Sequence, residues 1–121
     1  MRDGPRPRGL SRLRLATMNS LRGLQHCYRS EEAFRQESWL AVVLVPAGVW
    51  LGASGVERAL LVGSVLFVLV VELLNTGIEV VVDRIGTEHH ALSGFAKDLG
   101  STAVFFSLAL VLLTWTLVLI G

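Results

Sequence analysis

The chain has 121 residues, 52% of them hydrophobic, with a mean hydropathy of +0.58 and a formal net charge of only +1. A single domain of that size is too apolar for an ordinary soluble protein, so the membrane class is expected, and no nucleic-acid partner is. The lone Cys27 excludes an internal disulfide, no Cys/His spacing fits a structural zinc site, and the first ~35 residues hold no long apolar core of the kind a signal peptide needs.

Residues 1–9, MRDGPRPRG, place two prolines and two glycines among charges and read as a disordered start. From Leu10 onward, Leu10, Leu13, Thr17, Leu21, Leu24 and Tyr28 recur at helical spacing while Arg12, Arg22 and Arg29 fall on polar positions. A basic amphipathic helix over 10–30, lying on the membrane surface, fits that pattern; a helix packed on a soluble partner is the alternative. In SEEAFRQE at 30–37, Ser30 is expected to cap the next helix, with Glu31 and Glu32 in its first turn. Capping alone could account for both glutamates, whereas Glu37 sits closer to the apolar run.

Three apolar stretches follow, at 39–56, 59–82 and 99–120, each near the ~20 residues that cross a hydrocarbon core. Membrane helices are expected over 31–56, 58–85 and 97–120. Eight of the ten arginines precede the first stretch, which by the positive-inside rule puts the amino terminus in the cytoplasm. The link at 53–58 then lies outside, the more polar link at 83–98 inside, and the carboxyl terminus outside. Pro46 should kink the first span, and Gly48, Gly52 and Gly55 permit close helix approach. The second helix, at ~42 Å, exceeds the hydrocarbon thickness and must protrude, with Gly86 ending it as a C′ glycine.

The stretch VELLNTGIEVVVDRIG at 71–86 carries the most information. Glu72, Asn75, Glu79 and Asp83 follow one another at steps of 3, 4 and 4, which aligns them on one helical face. A carboxylate at the centre of a span costs roughly 2.5–3.5 kcal/mol, so a polar stripe here needs a compensating use. By the helix rise, Glu79 and Asp83 reach the interface and Glu72 lies ~10 Å deeper. The inner link adds Glu88, His89, His90, Lys97 and Asp98. Two adjacent histidines on a loop define no metal geometry, and Lys97 with Asp98 is either a snorkelling helix end or a pair facing the stripe. In the last span Ser101, Ser107 and Thr114 can hydrogen-bond across helices, and Trp115 belongs near the outer interface.

There is no Walker loop, nucleophile elbow or dinucleotide fingerprint. Glu79 with Glu31 could hold Mg²⁺ bridged to substrate phosphates, and Glu72, in apolar surroundings, is suited to accept a proton from a buried hydroxyl. On the residues alone, two classes remain: a lipid-modifying enzyme at the interface, or a small proton- or cation-coupled transporter.

The motifs EEAFRQE at 31–37, VELLNTGIEVVVDRIG at 71–86 and LSGFAKDLGS at 92–101 resemble those of the bacterial integral-membrane diacylglycerol kinases, and the likeness runs from about Gly9 to the carboxyl end. The resemblance implies an all-α membrane homotrimer of the inner membrane, each protomer having three spans and a surface helix, with active sites shared between subunits. It implies transfer of the ATP γ-phosphate to diacylglycerol with Mg²⁺. On its motif positions Glu72 is the general base, Glu31 and Glu79 the metal ligands, and Asn75, Lys97 and Asp98 further active-site groups. Nucleotide contacts are implied for Arg12, Asn19, Asp83, Glu88, His89 and His90 beside those ligands, although Asn19 and His89 stand where relatives carry aromatic residues. Lipid contacts are implied for Gln36, Glu37, Arg58, Ser101 and Trp115 beside Glu72. Undecaprenol kinases share the fold and carboxylates, but the Gln36-Glu37 ending of AFRQE looks like the diacylglycerol branch.

Overall fold

The computed structural model describes residues 4–121, so Met1 to Asp3 of the expected disordered start lie outside the described residues. Residues 4–8 form neither helix nor strand, and Gly9, at a positive φ of 65°, opens the first helix. Four helices follow: α1 (Leu10–Ser30), α2 (Glu32–Leu51), α3 (Gly55–Ile85) and α4 (Ala91–Ile120).

The apolar positions of α1 stay largely uncovered: Leu10, Leu13, Met18, Leu21 and Leu24 are exposed, and only Cys27 is buried. Its last turn is tied to α2. Arg35 Nη1 donates to the carbonyls of Tyr28 and Arg29, both at 2.9 Å, and Trp39 Nε1 donates to Tyr28 Oη at 3.0 Å. The break between the helices falls one residue later than expected. Ser30 remains helical, its hydroxyl donating to the His26 carbonyl at 2.9 Å instead of capping α2, and Glu31 becomes the extended residue, with no side-chain cap. Glu31 is therefore not consumed by capping.

α2 runs unbroken through Pro46 and stops at Leu51, short of the expected 56. A pattern that hydropathy does not see sets this corner. Ser54 Oγ accepts the N–H of Glu57 at 3.2 Å while Glu57 Oε1 accepts the N–H of Ala53 at 3.0 Å, a near relative of the capping box. The cap starts α3 at Gly55 instead of 58. Gly52 packs against Arg58, whose Nε donates to the Val49 carbonyl at 2.9 Å and closes the turn. At the other end of α3, Gly86 has φ 176°, which is extended backbone and not the left-handed C′ conformation expected. His90 then caps α4, its Nδ1 accepting the Leu92 N–H at 3.1 Å, so α4 begins at Ala91 and not at 97. The polar link shrinks to 86–90.

α3 is the central helix, with α2 and α4 packed along it. Its inward residues Leu61, Val65, Val68 and Val71 form the core with Phe34 and Ala41 of α2 and Ser107 of α4. Gly48 lets α2 approach closely: a Cβ there would stand 3.1 Å from Leu61 and 3.3 Å from Val62. Trp115 Nε1 donates to the Leu61 carbonyl at 3.2 Å and ties α4 to the same end of α3. The outward faces are strongly apolar, with Trp50, Leu74, Phe105, Phe106, Leu112 and Ile120 all exposed. Such a surface marks contact with lipid or with other protein. α3 and α4 are each long and apolar enough to cross a bilayer; α2 is shorter and begins with two polar turns.

Candidate functional site

The stripe on α3 opens into a cavity of about 220 Å³ lined by Glu31 at the break before α2, Ala33 of α2, Glu72, Asn75, Thr76 and Glu79 of α3, and Ser101 and Val104 of α4. The 3.6-residue period brings Glu72, Asn75, Thr76 and Glu79 to one wall. The late break before α2 supplies Glu31 from the other side. Glu72 is 5% exposed. Asn75 Nδ2 donates to Glu79 Oε1 at 3.2 Å, which orients that carboxylate, while Asn75 Oδ1 is buried without a donor.

Glu37 of α2 lies beside Glu72. Glu37 Oε2 is buried with no hydrogen-bond donor. Glu37 also lines a second cavity of about 230 Å³, otherwise apolar, among Leu40, Leu44, Val65, Val68, Leu108, Val111 and Leu112. Glu72 thus lines the polar chamber and its neighbour Glu37 the apolar one. Cys27 of α1 meets the wall of the polar chamber at Thr76, its thiol donating to Thr76 Oγ1 at 3.7 Å. Burial pushes that thiol up from its ordinary 9.0, the Thr76 hydrogen bond pulling the other way and the Glu31 and Glu72 carboxylates adding to the rise.

Other expected site residues stand apart in the isolated chain. Asp83, the last member of the stripe, lies outside the cavity, and its Oδ1 accepts from Lys97 Nζ at 2.9 Å in an exposed ion pair between α3 and α4. Lys97 does face the stripe, at its rim. Asp98 is exposed, its backbone carbonyl accepting from Thr102 at 2.8 Å. Arg12 and Asn19 line a separate groove beside Gly4, Pro5, Arg6 and Pro7. Glu88 and His90 line another with Ile85 and Ala96, while His89 and Gln36 are exposed. Arg58 and Trp115 sit at the far end of the bundle; 14 residues of α3 separate Arg58 from Glu72, about 21 Å of helix.

Sequence reasoning missed Thr76 and Cys27. Thr76 had a signal, lying one turn beyond Glu72 on the same face. Nothing in the sequence marked Cys27.

Among the described residues no three His, Cys, Asp or Glu side chains cluster as a metal site. Three carboxylates line the cavity, Glu31, Glu72 and Glu79; the pair that the resemblance implies for the metal, Glu31 and Glu79, suits Mg²⁺, which is commonly held by one or two carboxylates together with substrate phosphates.

Residues 18–119 match the family model described as prokaryotic diacylglycerol kinase. The chain is 49% identical over 107 residues to a diacylglycerol kinase of Haemophilus influenzae, covering 88% of this chain and 91% of that one. It is 47% identical over 113 residues to one of Pseudomonas aeruginosa, with 93% and 92% covered. Against one of Escherichia coli it is 43% identical over 111 residues, with 92% and 91% covered.

Proposed function

The chain belongs to the prokaryotic diacylglycerol kinase family, and on that premise we propose that it transfers the γ-phosphate of ATP to the free hydroxyl of diacylglycerol, yielding phosphatidic acid and ADP. The observation that carries this reading is the buried Glu72 carboxylate in a carboxylate-lined polar cavity, with its neighbour Glu37 lining an apolar one. A lipid whose hydroxyl sits at Glu72 can keep its chains in apolar surroundings while its oxygen faces the phosphates.

In this mechanism Glu72 takes the proton of the acceptor hydroxyl as that oxygen attacks the γ-phosphorus, and the bond to the β-phosphate oxygen breaks. Glu31 and Glu79 would hold Mg²⁺, which when bound supplies charge neutralisation on the phosphates. Asn75 fixes the Glu79 carboxylate through its amide nitrogen. Lys97 can leave Asp83 to meet charge on the phosphoryl group. Proximity does much of the rest, since lipid and nucleotide arrive from different phases at one point.

The same reading places the enzyme in the bacterial inner membrane with its amino terminus cytoplasmic, supported by the eight arginines ahead of the first apolar stretch. α2 forms the third span beside α3 and α4. A homotrimer with shared sites is supported by two features of the single chain. Arg12, Asn19, Glu88, His89 and His90 lie off the carboxylate cavity, and large apolar faces are left uncovered. A neighbouring protomer would then bring nucleotide-contacting groups to each cavity.

Purified protein supplied with γ-labelled ATP, Mg²⁺ and either diacylglycerol or undecaprenol tests the assignment. Label in phosphatidic acid is expected, and preferential labelling of the polyprenol would make the chain an undecaprenol kinase of the same fold. The transporter reading finds no support in the comparisons.

A further inference from the structure

We propose that Gly100 of α4 is a positioning residue for the metal-phosphate site: its missing side chain is the notch that seats the Asn75 amide, and the seated amide aims Glu79. The argument starts from hydrogen-bond polarity. An ionised carboxylate only accepts, so the Asn75 group facing Glu79 Oε1 across 3.2 Å has to be the Nδ2 nitrogen. The amide oxygen is thereby turned toward α4, where it is buried without a donor.

What it meets there is Gly100, itself buried. A Cβ on Gly100 would overlap Asn75 Oδ1, and the next nearest atoms are Asn75 Cγ at 3.2 Å and Asn75 Cβ at 3.9 Å. All three belong to one side chain. Gly48 is different, because a Cβ there would meet Leu61 Cβ, Val62 Cγ2 and the Val62 backbone nitrogen, as expected of a glycine that serves helix approach. At Gly100 the space left by the absent side chain is filled by the amide alone. One Gly100 α-hydrogen points along that direction, giving Oδ1 a Cα–H···O contact where no stronger donor exists.

An alanine at this position displaces the amide. Asn75 then turns away, its 3.2 Å bond to Glu79 is lost, and the carboxylate is free to rotate out of the cavity. Partners of this outer kind cost about ten- to a hundredfold in metal affinity or activity when removed. The inference rests on the reading of Glu79 as a metal-phosphate carboxylate.

The test is a cycle of Gly100→Ala, Asn75→Ala and the double variant in purified protein, with Glu79→Gln alongside. Mn²⁺ binding in the presence of ATP and the KM for diacylglycerol are the readouts. Gly100→Ala is expected to weaken Mn²⁺ binding about tenfold while leaving the KM for diacylglycerol unchanged. Once Asn75 is alanine the notch has nothing to hold, so adding Gly100→Ala should cost nothing more. An equal loss from Gly100→Ala in both backgrounds would show a packing role and overturn the proposal. If Gly100→Ala alone fails to fold, the double variant should still melt where Asn75→Ala does, and its misfolding too would overturn the proposal. Should Glu79→Gln weaken Mn²⁺ binding and Gly100→Ala not, the positioning role fails by itself. Should Glu79→Gln leave binding intact, the metal-ligand reading fails and takes this inference with it.

Discussion

Cys27 at the end of α1 donates its thiol to Thr76 Oγ1 of α3 at 3.7 Å, while its backbone carbonyl accepts the N–H of Glu31 at 2.9 Å. One residue thus joins the surface helix to the cavity wall and holds the residue that opens α2. Its surroundings are dry and carboxylate-rich, a setting that favours the protonated thiol.

The folded protein therefore keeps the Cys27 proton to higher pH than the unfolded chain, whose thiol ionises near 9.0. Between 9.0 and the raised folded value the unfolded state binds fewer protons, so stability falls as pH rises through that window and is fully present below it. Melting of wild type and Cys27→Ala, compared below and above 9.0, should show an alkaline loss in wild type beyond that of the variant. Parallel curves would mean that the thiol does not sense folding.

Glu31 and Glu79 reach one cavity from different helices. Glu31→Gln and Glu79→Gln should each raise the Mg²⁺ concentration needed for half-maximal activity, and together they should do less than the product of the two effects. Independent, multiplicative effects in that cycle would assign them to separate tasks.

Topology is open to direct chemistry. In a Cys27→Ala background, Ser54→Cys in the α2 to α3 turn should react with a membrane-impermeant thiol reagent on intact cells, whereas Thr87→Cys should stay protected. The reverse pattern would turn the carboxylate cavity away from cellular ATP.

Glu37 tests the lipid assignment, because it lies beside Glu72 and also opens onto the apolar cavity. Diacylglycerol is expected to be phosphorylated about tenfold or more better than undecaprenol, as befits a site with polar groups for a glycerol ester. Glu37→Ala should lower turnover of diacylglycerol more than of the polyprenol. Equal losses on both lipids would remove Glu37 from substrate choice.

The polar stripe was legible because a helix repeats every 3.6 residues, and steps of 3, 4 and 4 need no tertiary information to interpret. Its partners were harder to place. Glu31 and Glu37 are six residues apart, about 240° around a regular helix, so spacing alone would send them to different faces. Both approach Glu72 because Glu31 sits outside the helix, as its extended first residue, and Glu37 inside it. Helix ends were misplaced where side chains set them: the Ser54 and Glu57 cap, the Ser30 back-bond and the His90 cap carry no hydropathy signal. The seating of Asn75 against Gly100 depends on how α4 lies on α3, which one-dimensional spacing does not contain.

Glu72 carries the central claim, that the buried carboxylate of the polar chamber removes the proton of the acceptor hydroxyl. The decisive measurement is single-turnover phosphoryl transfer to diacylglycerol by purified Glu72→Gln with Mg-ATP saturating, since glutamine keeps size and polarity and loses basicity. The account predicts a rate lower by about 10²–10⁴-fold with the fold and nucleotide binding retained. A rate near that of wild type would contradict it and assign the proton to another group.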